Sequence, residues 1–263
     1  MLKMVNHQFK VLQSVTASLI EGGRGVSGTA FPNQPQQPIK LYEFEGSPFC
    51  RRVREVITLL NLDVEIYPCP KGGQKYRQTV KEKGGKLQFP FLIDENTNDQ
   101  LYESQKIIDH LFKYYGKTGK TPKKFSRYPK LPYISVLATM VNAARGVWVD
   151  KKVIQRAAPE QLLELWSFEA SPYTRLVREV LTELELPYIL HNVPKERWQD
   201  MGPSVLRFKP GQYIPLPHGK REKIVEIMGR DIQVPYLIDP NTGVKMFESA
   251  QIIDYLKQQY GSA

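Results

Sequence analysis

The sequence predicts an α/β fold made twice over, each copy running strand, helix, strand, helix, strand, strand, helix behind a helical lead-in. Three observations predict it. The chain has 263 residues, enough for two domains of about 100 to 130 residues each. The stretch Ile39 to Gly116 returns, altered, as Leu163 to Gly261. Apolar residues in the two stretches keep the same phase, switching at matching places between short strand-like runs and helical spacing.

Short motifs set the register of the repeat. Ser47-Pro48-Phe49-Cys50 and Arg51-Arg52-Val53-Arg54 return 124 residues later as Ser171-Pro172-Tyr173-Thr174 and Arg175-Leu176-Val177-Arg178. Phe89-Pro90-Phe91-Leu92-Ile93-Asp94 returns 145 residues later as Val234-Pro235-Tyr236-Leu237-Ile238-Asp239, so the second copy carries 21 extra residues between its second strand and its proline motif. That insertion, near 195–218, contains Pro203, Pro210, Pro215 and Pro217 and reads as a loop. The lead-in is repeated too, Ala17 to Val26 matching Ala138 to Val147. The expected division is therefore a lead-in at 1–38, a first domain at 39–118, a basic linker with the second lead-in at 119–160, and a second domain at 161–263.

Each lead-in reads as an amphipathic helix packed on the domain that follows it. Ile134, Leu137, Val141, Ala144 and Trp148 recur at helical spacing, and Val11, Leu12, Val15, Leu19 and Ile20 repeat the pattern less cleanly. An interfacial helix is the alternative, because such helices set an apolar face beside cations. Gln13, Ser14 and Thr16 interrupt any signal-peptide core.

In the first domain, Ile39 to Phe44 is a strand. Ser47-Pro48 then opens a helix with a hydroxyl at the cap and proline at the first position, where no amide bond is lost. Val53, Val56, Ile57 and Leu60 form its buried stripe, and Val177, Val180, Leu181 and Leu184 repeat it in phase. Asp63 to Tyr67 and Tyr188 to Asn192 are second strands, parallel to the first because a helix crosses between them. A polar helix near Tyr76 to Lys83 follows. Pro90 and Pro235 each sit in an apolar run that otherwise reads as a strand, which places them at its start, with a cis peptide expected before each. A hairpin turns at Asn96 to Asp99, or at Pro240 to Gly243. Final helices open at Glu103-Ser104 and Glu248-Ser249, burying Ile107, Ile108 and Leu111 or Ile252, Ile253 and Leu256.

Composition narrows the function classes. Two cysteines make no disulfide framework, and the four histidines at 7, 110, 191 and 218 show no ligand spacing, so free thiols, a reducing compartment and no metal are expected. No apolar run is long enough to span a membrane. Charge is concentrated: between Lys113 and Glu160 eleven Lys and Arg face Asp150 and Glu160, a net +9 out of the chain's +10. Such a segment is a solvated connector or a contact for an anionic membrane surface or acidic protein, since each clustered base contributes roughly 1 kcal/mol near anionic lipid. Tyr114, Tyr115, Phe125, Tyr128 and Tyr133 lie among the bases without a recognition motif, so no nucleic-acid role is expected.

The element order, the Ser-Pro-Phe-Cys motif, the Pro-x-Leu-Ile-Asp motif and Glu-Ser-x-x-Ile-Ile-Asp-x-Leu together resemble the thioredoxin-like N-terminal domain of glutathione S-transferases and the related glutaredoxins. The chain resembles a tandem array of that domain, with no counterpart of the helical C-terminal domain that forms most of the electrophile pocket in the family. The resemblance implies a glutathione half-site. An anionic, extended tripeptide suits a helix N-terminus for a carboxylate and a strand edge for its backbone. In the family the residue before the cis-proline pairs with the cysteinyl backbone, and the Glu-Ser pair holds the γ-glutamyl end. Those positions are Phe89, before Pro90, with Glu103 and Ser104. In the second copy they are Val234, before Pro235, with Glu248 and Ser249. Phe49, Gln88, Ser171 and Gln233 are further candidates beside them. Simple helix capping is the competing account of Ser104 and Ser249.

Ser47 stands where glutaredoxins have their attacking cysteine, which implies that its hydroxyl stabilises a glutathione thiolate and argues against iron-sulfur binding. Cys50 lies in the first helical turn, where the dipole and Arg51 or Arg52 would lower its pKa, although a buried thiol there would be inert. Cys69 follows the second strand and is a candidate redox partner. The expected function is a glutathione-dependent transferase or thiol oxidoreductase acting through Ser47 and Cys50, with glutathione as cosubstrate. The alternative is a non-catalytic binding or assembly module. The expected location is cytoplasm or plastid stroma, with peripheral membrane association under that alternative.

Overall fold

The computed structural model describes residues 2–20, 24–126, 145–200, 214–229 and 232–262. The second lead-in up to Ala144, the core of the basic linker and the middle of the insertion lie outside them.

Helix α1 (Leu2–Ile20) precedes the first domain, which comprises β1 (Ile39–Glu43), α2 (Pro48–Leu59), β2 (Val64–Pro68), α3 (Arg77–Gly84), β3 (Phe91–Asp94), β4 (Asp99–Tyr102) and α4 (Ser104–Tyr115), followed by the short turn α5 (Lys123–Ser126). The second repeats the order as β5 (Leu163–Ser167), α6 (Pro172–Glu183), β6 (Tyr188–Asn192), α7 (Lys220–Met228), β7 (Tyr236–Asp239), β8 (Val244–Phe247) and α8 (Ser249–Tyr260).

Both capped helices begin as their sequences require. The Ser47 and Ser171 hydroxyls accept the amides of Cys50 and Thr174, each at 3.3 Å, with proline at the first helical position. The peptides before Pro90 and Pro235 are both cis.

The two domains share one eight-stranded sheet in the order β4-β3-β1-β2-β6-β5-β7-β8. The joint is an antiparallel pairing of β2 with β6, Val64 opposite Leu190 and Ile66 opposite Tyr188. Pairing these edges leaves neither β2 nor β6 as an unpaired edge. It also sets the two domains head to tail, so the strand ends that carry Ser47 and Ser171 point to opposite ends of the sheet. One apolar layer runs through both domains, from Ile39, Leu41, Val53 and Ile57 to Leu163, Leu165, Val177 and Leu181. At 25 cal/mol per Å², continuous burial of this kind is the main stabilising term.

Two strap segments tie the domains reciprocally. In the first, Gly25 O accepts the amide of Ala170, and Val26 O accepts that of Lys195; Thr29 N then donates back to Leu59 O in the first domain. In the second, Gly146 O accepts the amide of Gly46 and Val147 O that of Lys71, before Asp150 N donates to Glu183 O in the second domain. Gly25 and Gly146 both take positive φ, and a Cβ at Gly25 would come within 2.6 Å of Glu169 Cβ. Because the first strap crosses the seam, α1 does not pack on the domain that follows it. It lies along α6 of the second domain, with Val11 and Ser14 buried.

Buried ion pairs fill the centre of the seam. Arg54 Nε donates to Glu169 Oε2 at 2.9 Å, and its mirror Arg178 donates to both carboxylate oxygens of Glu45, at 2.9 and 3.1 Å. Each guanidinium also holds the backbone carbonyl of its own domain's glutamate, Arg54 that of Glu45 at 3.3 Å and Arg178 that of Glu169 at 3.1 Å. Arg54 also pairs with Glu43, whose place in the second domain is taken by Ser167. Charges this deep persist only when paired and hydrogen-bonded.

Candidate functional site

Strand register brings the motif residues of each domain together. β3 runs antiparallel to β1 with Phe91 opposite Tyr42, and β4 runs antiparallel to β3 with Tyr102 opposite Phe91. The residues just before Phe91, just after Glu43 and just after Tyr102 therefore meet at one end of the sheet. These are Phe89-Pro90, Ser47 and Glu103-Ser104. Phe44 and Phe89 touch edge to face with centroids 6.3 Å apart, and the Arg77 guanidinium lies 4.8 Å over the Phe89 ring. In the second domain, Trp166 opposite Tyr236 and Tyr236 opposite Phe247 assemble Ser171, Val234-Pro235 and Glu248-Ser249 in the same way.

Glu103 and Glu248 stand at the cap positions of α4 and α8 with φ of +69° and +67°. A glutamate in this region is strained and is held there by its surroundings. Here the holding bond is Gln88 Nε2 to Glu103 Oε1 at 2.7 Å, and Gln233 bonds Glu248 correspondingly. Capping does not account for the serines. Ser104 and Ser249 are the first helical residues, one place beyond the caps, and neither helix has a side-chain cap bond. Arg52 Nη1 donates to Ser104 Oγ at 3.4 Å and Nη2 to Gln105 Oε1 at 2.9 Å. In the sequence Arg52 reads only as a base near Cys50, one of three bases within four positions, and nothing there links it to Ser104.

In the second domain Leu176 replaces Arg52, and Ser249 Oγ lies 3.0 Å from His7 Nε2 of α1. The N-terminal helix thus occupies the polar group that the first domain leaves to Arg52. Phe49 and Tyr173, in the first turns of α2 and α6, are 53% and 43% exposed, large apolar surfaces beside each serine.

Cys50 lies inside the first domain's core. Its side chain has no solvent exposure, and burial pushes its thiol up to about 12. Arg51 and Arg52 do not offset this, because Arg51 reaches Glu55 at 3.4 Å and Glu169 at 3.9 Å while Arg52 turns to Ser104. Cys69 is also fully buried and raised by burial, and both cysteines are free thiols. Burial therefore disfavours the thiolate form of both Cys50 and Cys69. Among the described residues no group of three His, Cys, Asp or Glu side chains is placed to hold a metal ion, and no helix is long and apolar enough to cross a membrane.

Residues 41–120 and 165–263 match the family model of the glutathione S-transferase N-terminal domain. Comparison with curated proteins finds no match. Among solved structures, glutathione transferase BmGSTD1 of Bombyx mori is 31% identical over 38% of this chain and 43% of that chain, with a TM-score of 0.30. BmGSTD1 in complex with GTT is 32% identical over the same shares, with a TM-score of 0.29. The chain spans less than half the length of these structures.

Proposed function

We propose, from the premise that this chain belongs to the glutathione S-transferase N-terminal domain family in two copies, that its first domain binds glutathione and activates the thiol for transfer. The observation that carries this reading is the convergence of Ser47, cis-Pro90 and the strained Glu103-Ser104 pair at one end of the sheet. The backbone of Phe89 lies beyond the ladder, at the place where an extended peptide would pair. Ser104 and Arg52 offer a hydroxyl and a guanidinium to the α-carboxylate of the γ-glutamyl end, with Gln88 and Glu103 fixing the turn. Charge-assisted bonds of this kind are about twice as strong as neutral ones.

Ser47 Oγ accepts the Cys50 amide and retains its own proton to donate to the glutathione sulfur. That bond, with the N-terminus of α2, favours thiolate over thiol. The proton leaves to solvent, and the sulfur attacks an electrophilic carbon, forming an S–C bond as the leaving group departs. A disulfide substrate would be attacked by the same thiolate, giving a mixed disulfide and a released thiolate. The second domain, with Ser249 engaged by His7 and Leu176 in place of Arg52, is the weaker site.

Activity assays with glutathione and a chloronitrobenzene electrophile test this reading. Ser47→Ala is expected to lower kcat/KM by about 10²-fold, the loss typical of one oxyanion-type donor. Cys50→Ala is expected to change it less than about threefold, because a buried thiol touches no substrate. Equal rates in wild type and Ser47→Ala would refute the assignment.

A surface-binding role is favoured by one observation: Phe9 and Leu12 of α1 are 58% and 62% exposed beside Lys10. Salt-sensitive sedimentation with anionic vesicles, weakened by Phe9→Ser with Leu12→Ser, is its test; no sedimentation at low salt would remove it.

A further inference from the structure

The loop that carries each serine is held by the opposite domain. Three ties act on Glu45-Gly46, immediately before Ser47. The Glu45 carboxylate accepts from Arg178 Nε and Nη2, at 2.9 and 3.1 Å, and the Gly46 amide donates to Gly146 O at 3.1 Å. Val147 packs directly over Gly46, where an added Cβ would lie 2.3 Å from Val147 Cγ2. Arg178, Gly146 and Val147 all lie in the second half of the chain, more than 90 residues beyond Ser47 in sequence. The mirror loop Glu169-Ala170, before Ser171, is held in the same way by Arg54 and Gly25. All four charged groups are buried, so water does not compete for the bonds.

Resting on the reading of Ser47 given above, we propose that Arg178 is a positioning residue for Ser47: by clamping Glu45 across the seam, the second domain sets where the first domain's serine hydroxyl meets the glutathione sulfur. The domain with the weaker ligand site thus serves the stronger one. Arg178 is fully buried and acts on Ser47 through the Glu45 carboxylate, two residues before it. A fixed donor stabilises a developing or resting anion more than a wandering one, because no reorganisation is needed at the moment of reaction.

The test is an ultraviolet titration of the bound glutathione thiolate together with amide NMR spectra, on wild type, Arg178→Lys, Val147→Ala and Asp63→Asn. Arg178→Lys keeps the charge but loses the two-pronged bond. It is expected to raise the thiol pKa of bound glutathione by about one unit, a tenfold loss of thiolate below that pKa, with its dissociation constant changed less than about threefold. Val147→Ala, which leaves the charges untouched and keeps the proposal testable should Arg178→Lys not fold, is expected to give a smaller shift in the same direction. Asp63→Asn cuts another tie across the seam, to His191 and Lys220, at the end of β2 remote from Ser47, and is expected to leave the titration unchanged. An unmoved titration in folded Arg178→Lys and in Val147→Ala, or an equal shift in Asp63→Asn, would overturn the proposal. Should wild type bind no glutathione, the reading of the site fails, and the amides of Gly46 and Cys50 decide the clamp separately. Their displacement in Arg178→Lys sustains it, and unmoved resonances reject it.

Discussion

The two domains share a frame and differ in what surrounds it. Each has a capped Ser-Pro helix, a cis-proline and a strained Glu-Ser turn. In the first domain the Glu-Ser turn faces Arg52, and in the second it faces His7 of a helix that has crossed the seam. At the centre Arg54 faces Glu43, Glu45 and Glu169, whereas Arg178 faces Glu45 and Glu169 only, because Ser167 stands where Glu43 would be repeated. A duplicated backbone therefore does not entail duplicated chemistry. The elements set where a site falls, and single replacements beside them decide whether it has a cation, a thiol or a cover.

The largest test of this comparison lies in the charge cluster. Arg54→Met takes a cation from three buried carboxylates, leaving Glu45 and Glu169 to Arg178 and Glu43 without its arginine, and is expected to cost about 3–5 kcal/mol in urea unfolding. Arg178→Met leaves both of its carboxylates, Glu45 and Glu169, still paired with Arg54 and is expected to cost less. Equal losses would mean that Glu43 adds nothing to the asymmetry.

A smaller effect separates the halves by pH. Burial pushes the Glu43 carboxyl up to about 7, only partly offset by Arg54, from an ordinary value of 4.5. The folded state thus holds this proton more tightly than the unfolded chain, so its contribution is fully present below about pH 4.5 and is lost as pH rises through about 7. Glu43→Gln is expected to remove this part of the decline, on the order of 1–3 kcal/mol, and to be the more stable protein at pH 8. Glu179, also raised to about 7 by burial, leaves a residual slope. Parallel stability-versus-pH curves for wild type and variant would rule out Glu43 as the source.

Much of the fold was legible because each element carries its own signal. Val53, Val56, Ile57 and Leu60 mark a helix face, and Pro90 and Pro235 mark strand starts, without reference to the rest of the chain. The same stripe held the answer for Cys50, which lies three residues before Val53 and seven before Ile57 and so belongs to the buried face. The seam was not legible, because alternation along Val64 to Ile66 or Tyr188 to Leu190 says which side is buried and not which edges meet. One trace of it was present: Glu45 with Arg54 returns as Glu169 with Arg178 at the common spacing of 124, each arginine one place from an apolar stripe residue. The direction of α1 across the seam had no local signal, and with it the pairing of His7 with Ser249 stayed hidden.

Calorimetric titration with glutathione tests the central claim most directly, on wild type, Ser104→Ala and Ser249→Ala. The account predicts one site per chain, weakened about tenfold by Ser104→Ala through loss of a bond to a charged group, and unchanged by Ser249→Ala. No binding heat in wild type, or binding that survives Ser104→Ala and is lost with Ser249→Ala, would contradict it.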